Sequence, residues 1–436
     1  MLIETLGHAS LLIRDAAGTP LLLTDPWLIG SCYWRSWWLQ SYPTAGQMEA
    51  LKDLKYCYVT HEHPDHFHTA SIRKLNDGVN YLCPQLPRRK IIGYLQEQGR
   101  KARALEPFQW HALSPEVSVL SIPLVIDDSV LLINTPRAFI VNFNDSKPAR
   151  SQVRTLTEYM DRYAAGKKRI LLSSYSPASI VNSFLRNNER VSLRDKKSYV
   201  SYLSRICMAQ KIDYFMPFAS QVIFHRSDSS WANAYKVTYD DLKQHWAAAG
   251  TRLLNPYARL DLDGFESSYI APADYNHDAN SLIQRAARQE EVDRSAEFTA
   301  DDVDRLRQKL GRFRYFSALL FRKGIGFELG NTKLTYLPWP GKMIEGEAKG
   351  SFVLRIPTQA LKDVLKYGHF GDLGITMFTL IILNERTDPR FVYVFFMLIM
   401  LHDYGHTVSV VRFLQWIVNG FRIWRWRIPG LGVSHS

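Results

Sequence analysis

The chain has 436 residues, 22% charged and 46% hydrophobic, a balance that excludes a disordered polypeptide. Lys and Arg outnumber Asp and Glu by 54 to 42, and the net charge of +12 favours an anionic small molecule or an anionic lipid surface as partner. No nucleic-acid motif is visible, so no nucleic-acid partner is expected, and the four cysteines, Cys32, Cys57, Cys83 and Cys207, lack metal-finger spacing and suit a reducing cytoplasm.

In chain order, MLIETLGHAS has no basic region followed by an apolar run, so no signal peptide is expected. Leu2 to Ile13 and Pro20 to Thr24 read as two strands around a turn at Asp15 to Thr19. Asp25 follows at the strand end. Gly30 to Pro43, GSCYWRSWWLQSYP, is dense in Trp and Tyr and suits either the wall of a cleft or a packing layer. LKYCYVT reads as a buried strand that runs into THEHPDHFH, Thr60 to His68. Four of the 13 histidines fall between His61 and His68, and His61, His63, Asp65 and His66 follow the pattern His-x-His-x-Asp-His. Imidazole nitrogens and carboxylate oxygens are ligands of first-row metals. A strand that ends in a tight Pro-containing turn can aim them at one point. His61 and His63 could hold one ion, and Asp65 and His66 a second beside it.

Helices are expected at Ala70 to Asn76, Arg88 to Gln98 and over most of Ser192 to Gln210. Strands are expected at Tyr81 to Pro84, Val117 to Ile122, Ser129 to Ile133, Ala138 to Asn142, Ile170 to Ser173 and Tyr214 to Met216. Asn276 to Arg314 is charged and helical in character, a connector. From Phe327, short strands precede a helix with Leu361, Val364 and Leu365 at helical spacing, an arrangement suited to a cap over the cleft. His402 and His406 have the i, i+4 spacing of a helical metal pair, but with Asp403 they lack an evident further ligand, and a structural role is preferred. The apolar run Phe391 to Leu401 is shorter than the roughly twenty residues a membrane span needs. The final stretch mixes Trp416, Phe421, Trp424 and Trp426 with Arg412, Arg422, Arg425 and Arg427, a composition that suits either peripheral contact with the inner face of a membrane or packing on the cap. Three units follow: residues 1–265 around the histidines, a helical connector at 266–325, and a cap with an aromatic and basic tail at 326–436.

THEHPDHFH resembles the signature of the metallo-β-lactamase fold superfamily. The resemblance implies an α/β fold, an αββα sandwich with a one- or two-metal site at one edge, here extended by a C-terminal α+β cap. It implies a supporting role for Asp25, which could instead be a turn or cap residue. It makes Asp145, at the end of the strand IVNFND, the carboxylate shared by two ions, and His225, in MPFASQVIFHRSD, the last ligand of the second. Within the superfamily the chain is most similar to the CMP-N-acetylneuraminate hydroxylase group, through LTDPWLIGSCYWRSWWL, THEHPDHFH, IVNFNDSKP, MPFASQVIFHRSD and NPYARLDLDG, over about residues 1 to 265.

Two departures from that group stand out. No Cys-x-His or Cys-x-x-His pair of a Rieske centre occurs, so an oxygenase of this kind would take electrons from a separate reductase. The loop that supplies a third His in the superfamily reads IPLVIDDSVLLI, where Asp127 and Asp128 are the only ligand-type residues. Of the two, Asp127 is the expected ligand, because adjacent residues of extended chain point to opposite sides and Asp128 is well placed for the turn; the alternative is that both only shape the turn and the first site is weak or empty. The site would then hold two divalent ions, iron favoured, with zinc or manganese as alternatives. Asp65 and Asp145 would sit at the reacting centre. Two activities follow: a non-haem di-iron monooxygenase acting on a small or lipid-like, anionic substrate, or a metal-dependent hydrolase of a phosphodiester, ester or lactone. A scaffold that binds a ligand without turning it over is the third alternative.

Overall fold

Strand alternation sets the layers. In a computed structural model of the chain, which describes residues 1–86, 88–124, 128–146, 148, 150–177, 183–191, 195–273, 279–407 and 409–425, Ile3, Leu11, Ile13, Leu22 and Tyr58 turn one way from their strands and Leu12, Leu23 and Cys57 the other. The first sheet therefore buries both faces. It has eight strands in the order Ser267–Tyr269, Ala258–Asp261, Leu2–Thr5, Leu11–Arg14, Pro20–Thr24, Tyr56–Tyr58, Asn80–Pro84, Lys101–Leu105. The second has seven, in the order Arg252–Leu253, Tyr214–Phe218, Lys168–Ser174, Ala138–Asn144, Ser129–Asn134, Ser118–Pro123, Trp110–Ala112.

Between the sheets, Ile3, Leu22 and Leu82 pack against Val119, Leu131, Ile140, Leu172 and Met216. On the outer side of the first sheet, Leu23, Cys57 and Tyr81 meet Ile91, Ile92 and Leu95 of the helix Lys90–Glu97. On the outer side of the second, Leu132, Phe139, Leu171 and Phe215 meet Leu156 and Met160 of Arg150–Tyr163 and Val200, Leu203 and Ile206 of Lys196–Ala209. The result is the four-layer αββα sandwich that the histidine loop implied.

Parallel registers bring chemically important strand ends to one edge. Thr24 pairs with Tyr58, and Asn144 with Ser173, so Asp25, Thr60 and Asn144 leave their strands together. One expectation is corrected here. Leu2 to Ile13 is not one strand: it breaks at Leu6–Ser10, where the Leu6 N–H donates to Ser10 at 2.8 Å and the Ser10 N–H to Gly7 at 3.0 Å. Gly7 at φ 102° and His8 at φ 33° make the reversal. An apolar run of this length cannot by its periodicity distinguish one strand from two that fold back on each other. The helix expected at Ala70 to Asn76 is a single turn, Thr69–Ile72.

A third sheet lies C-terminal to the sandwich, in the order Glu189–Arg190, Phe184–Arg186, Leu380–Leu383, Phe352–Arg355, Ile325–Leu329, Thr332–Leu337, Lys342–Glu345. It takes in a hairpin from the first half of the chain, with Phe184 beside Ile381, so the cap is not built from residues 326–436 alone. Leu361 and Val364 of Thr358–Tyr367 and Phe395 of Pro389–Asp403 close its core, as the helical spacing of the first two predicted. A small sheet of Val222–Phe224, Trp37–Leu39 and Ser31–Cys32 closes one side of the histidine loop. Among the described residues, no helix is long and apolar enough to cross a membrane.

Candidate metal centre

Two convergent groups of ligand-type side chains form where the strand ends meet: His8, Asp65 and His66, and His61, His66 and Asp145. Nε2 of His66 lies 3.1 Å from Asp65 Oδ2 and 3.2 Å from Asp145 Oδ2. Nε2 of His8 lies 3.0 Å from the same Asp65 oxygen. Nε2 of His61 meets Nδ1 of His63 at 2.9 Å. The rings form a chain, with centroids 5.5 Å apart for His8 and His66, 4.2 Å for His66 and His61, and 4.5 Å for His61 and His63.

The residues fit divalent cations. Ligand atoms on one ion, each at about 2.1 Å, lie within roughly 4.2 Å of each other, and all four of those pairs do. The outer nitrogens of His61, His63 and His66 are already engaged, which leaves their inner ones to face the centre. Nδ1 of His66 is 3.3 Å from Asp25 Oδ2 and 3.0 Å from the Asn144 amide. Nδ1 of His61 is 3.0 Å from Thr60 Oγ1 and 3.4 Å from Asp128 Oδ1. Nε2 of His63 is 2.9 Å from the Tyr404 hydroxyl. The Tyr33 hydroxyl donates to Asp65 Oδ1 at 2.7 Å.

Asp25 knits this frame together. It accepts the Thr60 N–H and hydroxyl at 2.8 and 2.9 Å and the Asn144 amide at 2.8 Å. Asp25 thus touches the His66 ring directly, the place where the resemblance implied a supporting role.

Electrostatics follow from packing titratable groups at van der Waals distance. Burial opposes charge on Asp65, but His66 and His8 outweigh it and hold the carboxyl well below its usual range. Asp145 is lowered in the same way: burial opposes its charge, and the His66 ring outweighs it. Burial would lower His66, yet Asp65, Asp145 and Asp25 raise it well above an ordinary imidazole. Burial and the neighbouring His61 push His63 down to about 3. Burial, with Glu62, Asp403 and Asp65 around it, pushes Asp372 well above the usual carboxyl range. Asp372 Oδ1 lies 3.8 Å from His63 Nε2.

Access is one-sided. The side chains of His8, Asp65 and His66 are at most 2% exposed, whereas Asp145 is 34% exposed and His63 is 20% exposed. Behind the ligands, Trp27 and Trp37 stand edge-on to His8 at 5.1 and 6.3 Å. The Trp- and Tyr-rich stretch is thus mostly buried packing that also supplies Tyr33. A separate cavity of about 710 Å³, bordered by Arg226, Asp293 and Phe378, lies away from this centre.

Of the expected ligands, His61, His63, Asp65, His66 and Asp145 converge. His225 does not. Ile223 pairs with Trp38 and Phe224 with Trp37, so alternation sends Phe224 onto the Trp37 ring and His225 to the opposite face, where its ring stands 6.0 Å from Trp38. His8, which the sequence reading took as part of a strand, occupies the inner position instead. Its only sequence signal is a His directly after Gly7 between two apolar runs. Asp127 lies outside the described residues. Its neighbour Asp128 accepts the Ser129 N–H at 2.7 Å, as a turn residue should, and also faces the outer nitrogen of His61. Tyr404 and Asp372, both from the C-terminal unit, were not foreseen as neighbours of His63. The cluster at His402, Asp403 and His406 is structural: His402 meets Arg312 at 2.9 Å, and Asp403 binds Lys309 and accepts the Phe370 N–H.

No family model matches the chain. A Mycolicibacterium smegmatis protein named as a Rieske 2Fe-2S iron-sulfur protein is 29% identical over 161 residues, covering 34% of this chain and 30% of its own length. A cytidine monophosphate-N-acetylneuraminic acid hydroxylase of Xenopus laevis is 30% identical over 102 residues, 22% of this chain and 16% of the hydroxylase. The chain thus spans less than a third of the length of these curated relatives. Among solved structures, an isothiocyanate hydrolase from Delia radicum gut bacteria has a TM-score of 0.40 at 12% identity, over 62% of this chain and 100% of its own. Zn(2+)-bound PqqB of Methylobacterium extorquens has a TM-score of 0.35 at 10% identity, over 60% of this chain and 100% of its own. The fold assignment rests on the two facing sheets, their outer helices and the His-x-His-x-Asp-His loop at the sheet edge: the chain is a metallo-β-lactamase-fold protein with sequence similarity to the CMP-N-acetylneuraminate hydroxylase group.

Proposed function

We propose that the chain is a metal-dependent oxidoreductase, a non-haem di-iron monooxygenase that hydroxylates a small or lipid-like, anionic substrate. The observation that carries this reading is the donor set. Two carboxylates, Asp65 and Asp145, stand within 3.2 Å of one imidazole nitrogen, among three further histidines. Carboxylate and imidazole together, with one side open, suit ferrous iron better than a sulfur-rich or all-nitrogen set would. The names of the sequence relatives, a hydroxylase and an iron–sulfur protein, point the same way.

In this reading His61 and His63 would hold one ion and His8, Asp65 and His66 the other, with Asp145 beside His61 and His66. Ferrous iron would supply electrons for dioxygen activation there, and zinc in the same set would supply Lewis acidity for hydrolysis. The protein's own residues then do three things. Asp25, Thr60, Asp128 and Tyr404 fix ring orientation from outside. Trp27 and Trp37 exclude water from the closed side, while His63 and Asp145 border the side from which substrate arrives. Tyr33 holds Asp65 in place by its hydrogen bond to Oδ1.

The overall reaction inserts one oxygen atom of dioxygen into a C–H bond and releases the other as water. Two electrons and two protons are consumed, the electrons supplied by a separate reductase. The second reading is a hydrolase of a phosphodiester, ester or lactone, favoured by the net charge of +12 and by the compatibility of the donors with zinc. Anaerobic reconstitution with ferrous iron separates the two. The oxygenase takes up dioxygen when a chemical reductant and candidate substrates are added. The hydrolase turns over activated esters and phosphodiesters without oxygen.

A further inference from the structure

Among the described residues, the C-terminal helices carry a run of exposed apolar side chains. Val410, Val411, Leu414 and Val418 of Val410–Arg425 are between 49% and 74% exposed, and they recur one and four residues apart, on one helical face. Phe391 and Val394 of the preceding helix, Pro389–Asp403, are also exposed. Side chains of this size do not usually gather in water without a partner.

The last helix carries charge of one sign. Between Val410 and Arg425 the sequence holds Arg412, Arg422 and Arg425 and no carboxylate, while Arg390 of the preceding helix is paired with Asp388 and the other carboxylate of that helix is Asp403. Asp403 is buried and bound to Lys309, so it offers no negative charge to the surface. An apolar helical face edged by arginine and tryptophan and free of exposed carboxylates matches the interface of a bilayer with anionic headgroups. A helix of 16 residues is about 24 Å long, enough to lie in the interface but not to cross it.

We propose that Val410–Arg425 docks the protein on an anionic lipid surface. The placement also has a consequence for the metal centre. Tyr404, whose hydroxyl meets His63, precedes Val410 by six residues, at most roughly 22 Å of extended chain. The docked helix therefore sets the candidate centre close to the lipid surface. The docking itself does not depend on which metal is bound or on which reaction the centre performs.

The test is co-sedimentation of the full chain with phosphatidylcholine vesicles and with vesicles that also contain phosphatidylglycerol. The chain should sediment with the second kind only, less at high salt. Leu414→Glu with Val418→Glu should weaken this by about tenfold or more, with thermal unfolding and metal content unchanged. Arg412→Glu should weaken it less and reduce the salt dependence. No sedimentation with anionic vesicles, or equal sedimentation of the double variant, overturns the proposal. So does a wild-type dimer that the double variant dissociates while neither form binds vesicles, because the face would then be an interface between two copies.

Discussion

His8 and His225 make the sharpest comparison in the molecule. Each is a histidine at the end of a short apolar strand, more than fifty residues from the His61–His66 loop in sequence. His8 points into the centre, 3.0 Å from Asp65, while His225 turns away onto Trp38. The difference comes from two local features. Gly7 permits a reversal that throws His8 inward from the turn, whereas the pairing of Val222–Phe224 with Trp37–Leu39 fixes which face each residue takes. A ligand from a distant segment is thus decided by the parity of one strand or the geometry of one turn, not by the residue type.

The comparison can be broken by mutation. His66 lies in both convergent groups, beside Asp65 and Asp145, so His66→Ala should have the largest effect, losing one ion outright and weakening the second by elemental analysis, with the thermal melt retained. Next, His8→Ala should lose about one of two ions, while His225→Ala keeps both. Metal retained by His8→Ala and lost by His225→Ala would reverse the assignment. The outer contacts should matter less. Asp128→Ala and Tyr404→Phe should each weaken metal affinity about 10–100-fold in a chelator competition, as outer-shell partners of ligand rings do.

The smallest predicted effect concerns pH. The carboxylates outweigh burial and raise His66 above 6.5, so in the metal-free protein its ring keeps its proton to higher pH than a free imidazole. A metal must displace that proton. Affinity should therefore rise with pH until the raised His66 titration is passed and fall as pH drops below it. Proton release on metal addition, measured in two buffers, checks the sign.

The legibility of the site follows the same division. His61, His63, Asp65 and His66 were readable because a single turn fixes their relative positions, and Asp145 because a strand end carries it to the same sheet edge. The core was readable for a similar reason: Leu22, Ile133 and Leu172 lie on strands whose apolar runs mark them as buried. His8 was hidden because an apolar run containing Gly7 reads equally well as one strand. Tyr404 and Asp372 were hidden because no local pattern says which of many C-terminal side chains will reach His63, more than 300 residues away. The aromatic segment was read in outline: its buried Trp37 packs behind His8, while its buried Trp38 packs on the opposite face.

The proposed oxygenase needs iron in this donor set. The most direct measurement is elemental analysis of the full chain purified without added metal from iron-replete cells, with Mössbauer spectroscopy of a ⁵⁷Fe-grown sample. The account predicts iron at about two per chain in a nitrogen and oxygen environment. Stoichiometric zinc, with iron absent, would contradict it and leave the hydrolase reading in its place.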